Sequence, residues 1–281
     1  MSEVRIRRGF VDVAEGQIHY RTCGPDDAPT LVMVHGSPGG ARPLVPLMKE
    51  LGKTFRIFAP DTLGNADSSP GTQYPVTIPY LADGMLRAME SLGIREFYLY
   101  GTHTGGNISI EAAIAAPQRI KKIVLDGVGL YSEDEKKGLV ANHAPEIKPD
   151  LEGTQLLWAW HFVRDGALFW PWWRTTADRV RKGLGLPSPD SLHESVVDVL
   201  KAIKTYHHAY RAALGYNKQP RMALIKTPTL VSCGETDMLR PYTEEAAKLI
   251  PGARYAYTPD PKGPEALREI ARVYTEFYLG R

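Results

Sequence analysis

Two glycine-rich turns carry the groups with the greatest chemical capacity in this sequence. Gly101-Thr102-His103-Thr104-Gly105-Gly106 sets an imidazole among glycines, and His35-Gly36-Ser37-Pro38-Gly39-Gly40 sets a second one beside a serine. A free imidazole titrates near about 6.5, so His103 can accept a proton or attack an electrophile near neutral pH without a helper. Other histidines stand where they either pack or line a cleft: His161 in Trp158-Ala159-Trp160-His161-Phe162, and His207-His208 between Tyr206 and Tyr210. His19, His143 and His193 have no chemical context in the sequence. His35, His103 and Asp237 can converge, but no HxxxH or HExxH spacing is present, so no metal site is expected. Neither turn has the GxGxxG or GxxxxGK[ST] spacing that cradles phosphates, so no nucleotide cofactor is expected either. Cys23 and Cys233 form neither a CxxC pair nor a disulfide framework.

Both turns follow short apolar runs. Leu31-Val32-Met33-Val34 ends at His35, Phe55-Arg56-Ile57-Phe58-Ala59 at Pro60-Asp61, and Phe97-Tyr98-Leu99-Tyr100 at Gly101, each with a helical pattern behind it. Ile123-Val124-Leu125, Thr229-Leu230-Val231-Ser232 and Arg254-Tyr255-Ala256-Tyr257 continue the series, and a last helix spans Pro264 to Tyr278. Strands of this kind alternating with helices predict a mostly parallel sheet covered on both faces. The first two strands, near 9–14 and 17–22, have only Glu15-Gly16 between them and must pair antiparallel.

From Gly129 to Lys226 the alternation lapses into helical pattern, and this interval holds all five tryptophans, Trp158, Trp160, Trp170, Trp172 and Trp173. An insertion at the carboxyl end of a strand, where open α/β sheets bind ligands, predicts a cap over the site. The expected organisation is therefore a core of residues 1–129 and 227–281 with a helical cap at 130–226. The aromatics either glue the cap to itself or face the cleft, and Trp158, His161, Trp172, His207 and His208, with His35 below, are the candidate lining. Such a lining suits an apolar or aromatic ligand, and Arg164, Arg174 or Lys262 can meet a carboxylate at its rim.

The 34 basic and 32 acidic residues leave a net charge of +2, and Arg5-Ile6-Arg7-Arg8 is the longest basic cluster, so no nucleic-acid partner is expected. Met1-Ser2-Glu3-Val4-Arg5 has no apolar segment behind it to make a signal peptide, and no run reaches 18 apolar residues. The expected molecule is cytoplasmic, a monomer or homodimer without a membrane partner, acting on a small molecule.

His35 to Gly40, then Asp61-Thr62-Leu63-Gly64-Asn65-Ala66-Asp67-Ser68-Ser69, then Gly101 to Gly106, arriving in that order after successive strands, resemble the α/β-hydrolase fold superfamily. The cap-bearing branch is the most similar: proline iminopeptidase-like enzymes, epoxide hydrolases, haloalkane dehalogenases and carbon–carbon bond hydrolases. The resemblance implies an eight-stranded, mostly parallel sheet with helices on both faces, an inserted helical cap, and no catalytic metal. It also implies an oxyanion hole made by the Ser37 and Thr104 backbone N–H groups, at a helix start whose free amides favour negative charge. Asp237, in Gly234-Glu235-Thr236-Asp237, matches the family's acid, with Asp126 as the alternative one strand earlier. Asp61 and Asp67-Ser68-Ser69 read as turn-capping loop structure.

The sequence departs from the family twice. Histidine replaces the nucleophile at the tip of the G-x-S-x-G turn, and no histidine follows His208, although the family places its general base after the last strand. There Thr258-Pro259-Asp260-Pro261-Lys262 stands instead. A Ser–His–Asp relay therefore cannot assemble in the usual topology. Three functions stay open: cleavage of an ester, lactone, C–C or C–X bond with His103 as nucleophile or general base and Asp237 orienting it; a cofactor-free lyase, decarboxylase or isomerase reaction in the same pocket; and ligand binding without catalysis.

Overall fold

Leu31, Val32, Met33 and Val34 are all fully buried, which a strand achieves only when both faces of its sheet are covered. Val32 and Val34 join one apolar cluster with Leu99 and Ile108, while Leu31 and Met33 join another with Tyr100 and Tyr274, following the two-residue period of a strand. The computed structural model describes residues 4–280; Met1 to Glu3, part of the N-terminal stretch in which no signal peptide is expected, and Arg281 lie outside the described residues.

Among the described residues the strands are β1 (Arg7–Val13), β2 (Gly16–Cys23), β3 (Thr30–Val34), β4 (Arg56–Pro60), β5 (Phe97–Thr102), β6 (Ile120–Asp126), β7 (Thr229–Gly234) and β8 (Arg254–Thr258). They form one sheet in the order β1-β2-β4-β3-β5-β6-β7-β8. The β1–β2 hairpin is antiparallel, as its two-residue turn predicts; β2 also pairs antiparallel with β4, and every later pair is parallel, as the alternation of strands and helices predicts. The order reverses between β3 and β5. Loops leaving the carboxyl ends of two strands adjacent at such a reversal open a crevice, and these two loops are the glycine-rich turns.

The helices between strands are α1 (Val45–Leu51), α2 (Ile78–Ser91) and α3 (Thr104–Ala115). α3 is buried along nearly its whole length, because it lies between the sheet, α2 and later helices. Between β6 and β7 come α4 (Glu133–Asn142), α5 (Thr154–Leu168), α6 (Pro189–Lys201), α7 (Tyr206–Gly215) and the single turn α8 (Gln219–Met222). α9 (Thr243–Lys248) and α10 (Gly263–Leu279) complete the chain.

The α4–α8 layer holds itself together through aromatic contacts. Trp158 stacks on Phe162 with ring centres 5.0 Å apart, and its ring lies 5.2 Å from that of Tyr206. Polar ties fasten it to the sheet half: Arg42 Nε donates to Asp198 Oδ2 at 2.6 Å, Thr205 Oγ1 to Gly64 O at 2.6 Å, and Arg221 forks onto buried Glu111 at 2.7 and 2.8 Å. Lys201 meets Asp67 at 2.8 Å, so Asp67 serves this fastening, and Asp61 accepts from the Ala41 amide at 2.6 Å. No helix among the described residues is long and apolar enough to cross a membrane.

Candidate active site

His103 sits between β5 and α3 with φ 51° and ψ −110°, a conformation that costs a non-glycine residue on the order of 1–3 kcal/mol. The surroundings enforce it. A Cβ on Gly105 would lie 2.1 Å from Val34 O, and one on Gly101 would lie 2.3 Å from Gly105 O, so the turn closes only without side chains there. The His103 N–H donates to Asp126 O at 2.9 Å, tying the turn's tip to the next strand.

The imidazole reaches the acid directly. His103 Nε2 and Asp237 Oδ2 are 2.7 Å apart, and the other Asp237 oxygen accepts the Leu239 N–H at 2.8 Å. Gly127, at φ 70°, makes room for the ring: a Cβ there would stand 2.4 Å from His103 Cδ2. With its proton on Nε2, given to a carboxylate that can only accept, the ring keeps its free lone pair on Nδ1. Nδ1 has no hydrogen-bond partner among the described residues and lies beside Gly36, 3.7 Å from where a Cβ on that glycine would be. Burial alone would lower the His103 pKa, but the hydrogen bond and charge of Asp237, with Asp126 behind, raise it above the ordinary imidazole value. Burial likewise opposes ionisation of Asp237, yet His103 holds its pKa below the usual carboxylate value.

Asp126, the alternative acid, is engaged elsewhere. It accepts from Tyr100 Oη at 2.6 Å and Ser232 Oγ at 3.1 Å, and burial raises its pKa. Its side chain makes no hydrogen bond to His103. The loop after β8, where the family's histidine would stand, turns back on β7: Asp260 accepts from Thr236 N–H at 2.9 Å and from Thr236 Oγ1 at 2.6 Å. Between this loop and His103 is a cavity of about 560 Å³, lined by Asp260, Lys262, Asp237 and His35 among others.

The Ser37 turn is braced from below. His35 Nε2 accepts the Thr62 N–H at 2.9 Å, which leaves Nδ1–H to donate to Gly36 O at 2.8 Å. Both nitrogens are thereby used in shaping the turn. The Ser37 and Thr104 amides make no hydrogen bond among the described residues, and both residues line, with His103, a second cavity of about 310 Å³ under the helical layer. That volume is at the lower end for a small-molecule site.

On its helical side this cavity is walled by Tyr131, His143, Phe162, Trp170, Trp172 and Tyr210. Of the lining expected from sequence, Trp172 is there, and His35 borders the neighbouring cavity. Trp158, His161, His207 and His208 line neither. Phe162 takes the cavity side of α5, and its neighbour His161, a helical step of about 100° away, points outward to Asp165 at 3.2 Å. His207 and His208 pack on each other at 3.9 Å, and His208 meets Tyr74 at 4.7 Å.

Polar wall residues that nothing in the sequence singles out include His143, Tyr210, Arg181 and Lys218. His143, paired with Tyr210 Oη at 2.5 Å and surrounded by Trp170, Trp173 and Phe162, is pushed by burial down to about 3 and stays neutral. Arg181 and Lys218 supply the cations in place of Arg164, which pairs with Asp165 at 2.6 Å, of exposed Arg174, and of Lys262, which meets Asp260 at 3.5 Å. Nothing in the local sequence of these residues marks them, since long-range packing aims them.

The family model for the alpha/beta hydrolase fold matches residues 29–260. A 2-hydroxy-6-oxononadienedioate/2-hydroxy-6-oxononatrienedioate hydrolase of Paraburkholderia xenovorans is 26% identical over 272 residues, 90% of this chain and 84% of that one. Carboxylesterase YbfK of Bacillus subtilis is 28% identical over 116 residues, and that match spans 41% of this chain and only 39% of the esterase. The solved enol-lactonase of Burkholderia xenovorans superposes with a TM-score of 0.74 at 23% identity, covering 97% of this chain and all of that one, a likeness of fold. Spanning β3 to the loop after β8, and thus both glycine-rich turns and Asp237, the match makes the chain a member of the α/β hydrolase fold family.

Proposed function

We propose that the chain is an enzyme, a hydrolase of small, largely apolar or aromatic esters or lactones, in which His103 is the general base, Asp237 orients it, and the Ser37 and Thr104 amides form the oxyanion hole. Residues 130–226 act as the cap that closes the pocket. The observation that carries this reading is the 2.7 Å bond from His103 Nε2 to Asp237, which leaves Nδ1 as the free base nitrogen beside the Ser37 turn. One histidine thus takes over two positions of the family's relay, the elbow and the partner of the acid.

In the reaction, water attacks the substrate carbonyl carbon while Nδ1 takes its proton. The carbonyl oxygen becomes an oxyanion held by the two amides, where a helix start favours the charge. The intermediate collapses by breaking the bond to the leaving oxygen, which receives the proton back from the imidazolium. No acyl-enzyme forms. The hydrolase names carried by the relatives support the reaction class, and the aromatic wall supports the substrate class.

The test is a panel of aryl esters and lactones with the purified chain and His103→Ala. The variant should lose about 10²–10⁴-fold in turnover, the share a positioned base supplies, while ligand affinity changes little. His103→Ser should not recover esterase activity, because it has no base. Equal turnover of wild type and His103→Ala, or an acylated His103 trapped by mass spectrometry, would overturn the assignment of the base.

A further inference from the structure

Lys218 stands out among the cations of the cavity. It is only 6% exposed, its Nζ donates to Gly129 O at 2.8 Å, and it lines the pocket shared by His103 and Ser37. An ammonium has three donors, and this one spends a single donor on the protein. Among the described residues it makes no ion pair; burial, and after it the like charge of Lys136, push it down to about 8. Arg181 differs: it feels the carboxylates of Asp237 and Asp260, and its Nη1 is bound to Gly166 O at 3.0 Å. Burying a charge without a counter-charge is costly, and such groups ordinarily have a partner.

We propose that the missing partner is the substrate: Lys218 is the specificity-determining residue that binds a carboxylate on a small apolar acid whose ester or lactone carbonyl faces His103. This rests on the reading of the cavity as the substrate's place. The geometry suits one ligand touching both groups. Gly129, which holds Nζ, is two residues from Gly127, which packs on the His103 ring, and two residues span at most about 7 Å. Apart from Arg181, Asp237 and Asn107, the wall between the two groups is largely apolar, with Tyr131, Phe162, Trp170, Trp172, Leu214 and Leu239 in it, so the ligand between its two polar ends is apolar.

The test measures binding, which is independent of turnover. Trp170 and Trp172 line the cavity, so tryptophan fluorescence reports occupancy. Phenylacetate and phenylacetamide, alike in shape and different in charge, are titrated into wild type, Lys218→Met, Lys218→Arg and Arg181→Met, each checked by thermal melting. Wild type should bind the carboxylate at least about 10-fold more tightly than the amide; Lys218→Met should abolish the difference, while Lys218→Arg and Arg181→Met keep it. Equal affinities in wild type, a preference surviving in Lys218→Met, or a preference lost in Arg181→Met would each overturn the proposal. If Lys218→Met fails to fold, the wild-type ratio together with Arg181→Met still decides. Carboxylate preference without any turnover would retain Lys218 and sink the hydrolase, whereas ester turnover without the preference would do the reverse.

Discussion

The two walls of the cavity are built by different means. On the sheet side, His103 and the Ser37 turn are fixed by backbone against backbone: Gly105 against Val34 O, Gly101 against Gly105 O, the His103 amide on Asp126 O. On the helical side, side chains meet side chains, as in the stack of Trp158 on Phe162 and the rings around His143. Backbone contacts leave no freedom, whereas ring contacts repack when one member changes size. In the proposed reaction the sheet side would set where a proton moves, and the helical layer what fits above it.

Glycines offer the largest break in that contrast. Gly105→Ala puts a Cβ 2.1 Å from a carbonyl oxygen of β3, and neither side can yield, so the variant should fail to fold or lose more than about 4 kcal/mol in urea unfolding. A melting curve like that of wild type would show that the elbow has slack.

A smaller effect, confined to chemistry, should come from Asp237→Asn. The fold stays, but the amide no longer fixes the imidazole tautomer, and turnover should fall by roughly 10²–10⁴-fold. The sign of the pH response follows from the shifts. As the proposed base His103 must be neutral to act, so the wild-type rate should rise with pH through an apparent pKa above about 6.5. Without Asp237 the hydrogen bond and nearest charge that raise the pKa are gone and only the weaker influence of Asp126 still opposes desolvation, so the acid limb should move to lower pH. A pH–rate profile of the two proteins checks this, and an unmoved limb would assign it to another group.

At the permissive end lies Gly138 in α4, where an added Cβ meets nothing within 4 Å. Alanine there relieves a helix-interior glycine and should stabilise by about 0.5–1 kcal/mol with turnover unchanged, measured by the same unfolding assay. Destabilisation would mean the helical layer is as tightly determined as the sheet.

How much was legible in the sequence follows the same division. The apolar runs ending at His35, Gly101, Asp126 and Gly234 become β3, β5, β6 and β7, because period, run length and flanking turns are local properties. His103 was readable as the unusual group and Asp237 as its partner from the order of motifs along the chain. The lining of the helical layer was not: Trp158, His161, His207 and His208 lie in helices, where about 100° of rotation per residue decides between cavity and packing. His143, Arg181 and Lys218 come from positions without any local signature.

The sequence by itself determined a mostly parallel sheet, two glycine-rich turns at its carboxyl edge, and a histidine where the family's nucleophile stands with none left to serve as the usual base. Only the tertiary structure decided that this histidine reaches Asp237 unaided, through the space left by Gly127, and that Lys218 is buried at the cavity wall with no counter-charge among the described residues. The reason is physical. Strand and turn formation depend on neighbours in the chain, while the direction of a side chain and the charges around it depend on distant segments, 134 positions apart for His103 and Asp237 and 89 for Lys218 and Gly129, brought together by the closing of the core.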